Sequence, residues 1–149
     1  MIAKFLTGAL VGAAALAIST QAFAQADVNE KRQNLMKSQG AAVKEIKAAV
    51  EAKNYATVEA KAKDIMGTSD QIPGAFPKGS TTGKTKAKAE IWEKNADFVK
   101  HAKALNKNAS ELAAAAKAGD ETEVGVKLKA LGSTCDSCHK EFRAAKYSE

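Results

Sequence analysis

Cys135 and Cys138 are the only two cysteines of the chain, and His139 follows the second directly. Two thiols at C-x-x-C spacing can add to the two vinyl groups of a haem as thioethers, and the adjacent imidazole can then reach the iron. C-x-x-C-H is the attachment signature of c-type haem. Three other chemistries use these residue types, and each fits less well. A redox C-x-x-C belongs beside a βαβ pattern, and no alternating strand pattern of useful length is present. A zinc site needs four ligands, and His101 is the only other histidine, far along the chain. A disulfide across so short a loop would stabilise little. The motif therefore predicts one covalently attached haem c per chain. Cys135 and Cys138 would carry the thioether bonds, and His139 would be the proximal iron ligand.

The start of the chain points to an exported protein. Lys4 supplies a positive end, Phe5 to Ile18 is apolar and rich in Ala and Leu, and Ala22-Phe23-Ala24 is an A-x-A cleavage site. Residues 1–24 are expected to be a secretory signal peptide and 25–149 one mature domain, with cleavage after Ala26 as the alternative. The apolar run is too short to span a bilayer, so no membrane insertion is expected. Haem is attached to such motifs outside the cytoplasm, which makes the periplasm the expected compartment. The formal charge is +6 over the whole chain. That excess would suit an acidic redox partner. It is no nucleic-acid signal, because the lysines are spread among glutamates and the aromatics are too few for stacking platforms.

These residues must be positioned by helices. The mature chain is rich in Ala, Lys, Glu and Leu, and its prolines occur only at 73 and 77. A first amphipathic segment is expected from about Asp27 to Ala52, with Val28, Leu35, Met36, Gln39, Val43, Ile46 and Val50 on one face. A second is expected from about Tyr55 to Ser69. Pro73, Gly74, Pro77, Gly79 and Gly83 mark a loop. A third is expected from about Thr85 to Lys117, followed by a stop and N-cap at Ala118-Gly119-Asp120. The fourth is expected from about Glu121 to Ala145. In it Val124, Leu128, Leu131, Cys135, Cys138 and Phe142 form an unbroken inward stripe, so both thiols face the interior. The expected fold is all-α, an antiparallel four-helix bundle enclosing the haem.

Several landmarks in order resemble the class II c-type cytochromes, the cytochrome c prime family. They are Lys31-Arg32-Gln33, Phe76-Pro77-Lys78-Gly79, Ala89-Glu90-Ile91-Trp92, Ala118-Gly119-Asp120, and the run from Leu131 through the haem motif to Arg143. The resemblance covers essentially all of residues 25–149. It implies an exported four-helix haem bundle, often homodimeric. Many members are five-coordinate and bind nitric oxide or carbon monoxide, whereas a related subgroup carries a methionine on the iron. Aligning Arg32 with the family arginine puts Met36 at the distal position, so the resemblance is to the methionine-ligated subgroup.

The candidate residues have rival readings. Met36 is either the distal iron ligand or adaptable core packing, and Met66 is expected to be core. Arg32 is an inward-facing charge, either paired with a haem propionate or snorkelling to solvent. Trp92 either packs on the haem edge or belongs to the general core. Arg143 either borders the proximal pocket or is solvated. His101, flanked by Lys100 and Lys103, is expected at the surface. Lys84, Lys86 and Lys88 could steer a partner but are read as a solvated helix start. No catalytic triad, carboxylate pair or phosphate loop is apparent, so no enzyme is expected. The leading expectation is a one-electron carrier with His/Met-ligated iron, exchanging electrons with redox partner proteins. The alternative is a five-coordinate protein that binds or sequesters nitric oxide or carbon monoxide.

Overall fold

A computed structural model describes the backbone of residues 12–147 and the side chains of residues 27–147. The expected signal-peptide residues 1–11 lie outside the described residues, as do the side chains of 12–24. The helices are α1 (Gly12–Glu51), α2 (Tyr55–Ser69), a short α3 (Glu90–Glu93), α4 (Asn95–Ala118) and α5 (Glu121–Phe142), with a 3-10 turn at Pro73–Ala75. The four long helices form a bundle, and none of the helices described is long and apolar enough to cross a membrane.

Local chemistry explains most of the boundaries. Asn54 caps α2 by accepting the Thr57 amide at 3.1 Å, and Asp120 caps α5 by accepting the Glu123 amide at 3.0 Å. Gly119 ends α4 in the left-handed region at φ +69°, where a side chain would be strained. Glu121 and Glu123 in the first turn of α5, and Lys140 in its last, suit the helix dipole.

Three boundaries differ from expectation. α1 is already helical at Gly12, the first described residue, and runs on through the expected start at Asp27, because no glycine or proline interrupts the sequence between Gly12 and Gly40. The expected third helix is broken: residues 84–89 are not helical, and a kink at Lys94 (φ −111°, ψ 44°) separates α3 from α4. The cause is long-range. Ala87 pairs antiparallel with Arg143, the Lys88 amide donates to the Phe142 carbonyl at 3.1 Å, and the Ala144 amide donates to the Lys86 carbonyl at 2.8 Å. The same pairing stops α5 at Phe142, because Arg143 must become extended to take part.

The core follows the apolar stripes. Ile46 of α1, Val58 and Ile65 of α2, Ala109 and Leu112 of α4, and Val124 and Leu131 of α5 are fully or almost fully buried. Met66 is half-buried and packs against this core, as expected. α1 packs on α2, α2 on α4, and α4 on α5. Among the described residues α1 and α5 make no extended contact of their own, and the space between them positions the site.

Candidate functional site

A cavity of about 540 Å³ opens between α1 and α5. Met36, Gly40 and Val43 line it from α1, and Ile65 and Ile72 from α2 and the turn after it. Phe98, Ala102 and Leu105 line it from α4, and Cys135, Cys138, His139 and Phe142 from α5. Volume and lining match those of cofactor pockets: mostly apolar, with a few polar groups placed among them.

α5 delivers the motif as its stripe predicts. Val124, Leu131 and Phe142 are buried, and Leu128, Cys135 and Cys138 are partly buried against the core. Burial pushes both thiols up, Cys138 to about 11, so both are held as neutral thiols. His139 borders the same cavity at its solvent-facing edge. Burial first, and then the Arg143 charge, hold its pKa below the usual histidine value. The neutral imidazole is the form that can bind a metal. Two thiols and an imidazole beside a large apolar slot fit a covalently held haem, whose faces need apolar walls and whose iron needs a nitrogen ligand.

Arg32 does not snorkel to solvent. It is 4% exposed, and its guanidinium is folded into the loop that follows the 3-10 turn. Nε donates to the Ala75 carbonyl at 2.7 Å, and Nη1 donates to the Ser80 carbonyl at 2.9 Å and to Asn29 Oδ1 at 3.1 Å. Nη2 donates to Ser80 Oγ. The guanidinium carbon also lies 4.6 Å from the Phe76 ring centroid and 5.6 Å from that of Trp92. Burial lowers its pKa to about 10. Arg32 therefore neither snorkels nor pairs with a carboxylate among the described residues. One of its five N–H groups is left without an assigned partner, and the residue contributes to the cavity wall.

Trp92 is not among the residues lining the cavity. Its indole N–H donates to the carbonyls of Phe76 and Pro77, at 3.2 and 2.9 Å, and so clamps the same loop from the other side. Its neighbour Ile91 lines the cavity instead. Met36 does line it, on the α1 wall, with α5 and His139 on the other side. Arg143 is exposed, and it borders both the cavity mouth and a shallow hollow shared with Asp136, His139 and Lys140. It is thus both solvated and beside the proximal residue.

His101 departs from its expected surface position. It is half-buried, lines the cavity, and stands edge-on to Phe142 with ring centroids 5.7 Å apart. Its Nε2 is 3.7 Å from Glu141 Oε2. Phe76, Phe98 and Phe142 continue this aromatic wall in edge contacts of 5.0 and 5.4 Å. The available signal was register: His101 follows Phe98 by three residues and so shares its face, although its lysine neighbours suggested solvent.

A four-helix bundle with a C-x-x-C-H sequence facing an interior slot defines a c-type haem bundle. The cytochrome C' family profile matches residues 27–143, and the chain belongs to that family. Proteins of this family bind one covalently attached haem c per chain. The chain is 46% identical over 84 residues to a cytochrome c' of Rhodospirillum rubrum, a match that spans 56% of this chain and 57% of that protein. It is 38% identical over 117 residues to a cytochrome c' of Pararhodospirillum photometricum, covering 76% of this chain and 94% of that protein. A cytochrome c-556 of Agrobacterium tumefaciens is 33% identical over 120 residues, 78% of this chain and 97% of that protein. Among solved structures, cytochrome c' from Thermochromatium tepidum superposes with a TM-score of 0.74 at 28% identity, covering 80% of this chain and 96% of that one. A mutant cytochrome c prime from Alcaligenes xylosoxidans, solved as its nitric oxide complex, superposes with a TM-score of 0.73 at 26% identity, covering 82% and 97%. A further cytochrome c', described as having an unusual ligand-controlled dimer dissociation, superposes at 0.73 with 28% identity, covering 80% and 96%. These likenesses favour the gas-binding expectation over the His/Met-ligated electron carrier.

Proposed function

We propose that this chain is an exported, periplasmic monohaem cytochrome that takes a small diatomic ligand, nitric oxide or carbon monoxide, in the slot between α1 and α5. The observation that carries this reading is the slot between α1 and α5, with the C-x-x-C-H residues on one wall and Met36, Gly40 and Val43 on the other. A bound haem would supply an iron that can accept one electron and bind a small diatomic molecule. Cys135 and Cys138 would tether it, and His139 would present its neutral imidazole to the iron. Met36 and Val43 would give the α1 wall an apolar patch, with Gln33, Lys37 and Gln39 on the same wall around it. The unassigned N–H of Arg32 is available to a propionate carboxylate. The nitric oxide complex of the structurally similar Alcaligenes protein supports the same assignment. The protein binds and releases its ligand, and no catalytic turnover is proposed.

A second reading follows from the position of Met36. A thioether on the wall away from α5 could itself occupy the sixth position, which would close the iron to gases and make the protein an electron carrier. One experiment separates the two. Optical and paramagnetic-resonance spectra of the oxidised holoprotein near neutral pH are recorded, and carbon monoxide is then added after reduction with dithionite. A high-spin ferric spectrum and a saturable carbon monoxide shift are expected. A low-spin spectrum with a sulfur-to-iron near-infrared band, and no carbon monoxide shift, would replace the proposal with the second reading.

A further inference from the structure

α1 carries a glycine, Gly40, in the interior of a 40-residue helix. Glycine weakens a helix relative to alanine there, because its backbone has more freedom to lose. The ordinary reasons for such a residue do not apply. The backbone does not need the left-handed region at residue 40: among the described residues, the glycines with positive φ are Gly79, Gly83 and Gly119. Crowding does not demand it either. Apart from its chain neighbours and the local helix backbone, no atom among the described residues lies within 4 Å of the position that a Cβ would take. Nor does α1 stop there, since it runs on to Glu51. Gly67, Gly125 and Gly132 are also helical and uncrowded, but of these four only Gly40 lines the slot between α1 and α5.

That position gives the missing side chain a consequence. Gly40 is exposed to solvent and lines the slot as well. Met36, one turn before it, and Val43, about one turn after it, are half-buried and line the same wall. Side chains on a helix lean toward its N-terminus, so a side chain at residue 40 would cover the surface beside Met36. With glycine there, the stretch between Met36 and Val43 is bare backbone. Gln39 is drawn away from it, because its amide nitrogen donates to Thr68 Oγ1 of α2 at 3.4 Å.

We propose that Gly40 is the access port of the slot, a gap in the α1 wall through which a neutral diatomic gas passes between solvent and the interior. The proposal rests on the gas-binding reading and adds a route to it. A port governs arrival and escape together. It makes no contact with the ligand once bound, so it changes both rates and leaves the equilibrium alone. Gly40 therefore controls access rather than affinity.

The test plugs the port in the haem-loaded protein. With Cys135 and Cys138 held in thioether bonds, a Gly40→Cys variant has one free thiol, and mass spectrometry should find one N-phenylmaleimide added per chain. After reduction with dithionite, carbon monoxide binding is followed by flash photolysis, and its release by displacement with nitric oxide. The label on Gly40→Cys should slow binding and release alike, by about tenfold or more, with affinity kept within about twofold. Gly40→Leu should slow both rates in the same direction while raising the melting temperature, because leucine is the better helix former. Labelled Ala41→Cys, at the next residue, exposed and outside the slot lining, should stay within about twofold of wild type.

A thiol at residue 40 that resists the label, rates that the label leaves unchanged, or equal slowing in labelled Ala41→Cys would overturn the proposal. So would affinity lost through faster release, which would put the bound ligand against residue 40. An altered oxidised spectrum in Gly40→Leu would overturn it too, by putting the haem edge there. A wild-type protein with no carbon monoxide shift would overturn the gas-binding reading itself. A normal shift with rates indifferent to the plug would overturn the port alone, so the two failures are distinct.

Discussion

Arg32 links α1 to a loop more than forty residues away. Its guanidinium holds the carbonyls of Ala75 and Ser80, the Ser80 hydroxyl and the Asn29 amide oxygen, between the rings of Phe76 and Trp92. Arg32→Met would keep much of the side-chain volume but leave several acceptors unpaired, each at a cost of about 1–3 kcal/mol. Chemical denaturation should show a loss of about 3 kcal/mol; a loss under about 0.5 kcal/mol would mean that water replaces those bonds. The inward position of Arg32 was legible in the sequence, because it shares the register of Leu35, Met36 and Val43. Its partners were not legible, because nothing near residue 32 encodes a carbonyl at residue 80. Met36 poses the sharper functional question. Under the proposed function, Met36→Leu leaves the oxidised spectrum high-spin and changes carbon monoxide affinity by less than about tenfold, since one apolar wall residue replaces another. Conversion of a low-spin spectrum to a high-spin one would instead establish Met36 as a ligand.

At the scale of elements, helical periodicity located α2 and the α5 stripe because both are local patterns. It failed for residues 84–89, where Lys86, Ala87 and Lys88 pair with residues 142–144 and give up the helix that their composition favours. The Lys86 ammonium adds a bond to the Ala145 carbonyl at 3.0 Å, and Lys88 adds one to the Glu141 carbonyl at 2.6 Å. The end of the chain therefore holds the segment that leads into α3. Removing residues 144–149 deletes the Ala144 and Ala145 contacts and the Tyr147 ring. It should lower stability by about 1–2 kcal/mol and raise amide exchange across 84–89 selectively. Uniform exchange across the bundle would show that the tail does not restrain that segment.

At the scale of the whole molecule, extended packing among the described residues runs from α1 to α2 to α4 to α5. Four helices in sequence make a C-shaped wall with one seam, and the two thiols lie on that seam. A planar tethered group inserted there would act as a keystone, completing the ring of contacts that the polypeptide leaves open. A chain carrying both Cys135→Ala and Cys138→Ala should keep most of its helical circular dichroism, yet melt at least ~10 °C below the haem-loaded protein, since the tether supplies stability only to the closed form. Equal melting temperatures would show that the seam closes unaided. Both thiols and the histidine beside them belong to α5, so a group held in the seam would be anchored from one helix and would couple that helix to α1 across it.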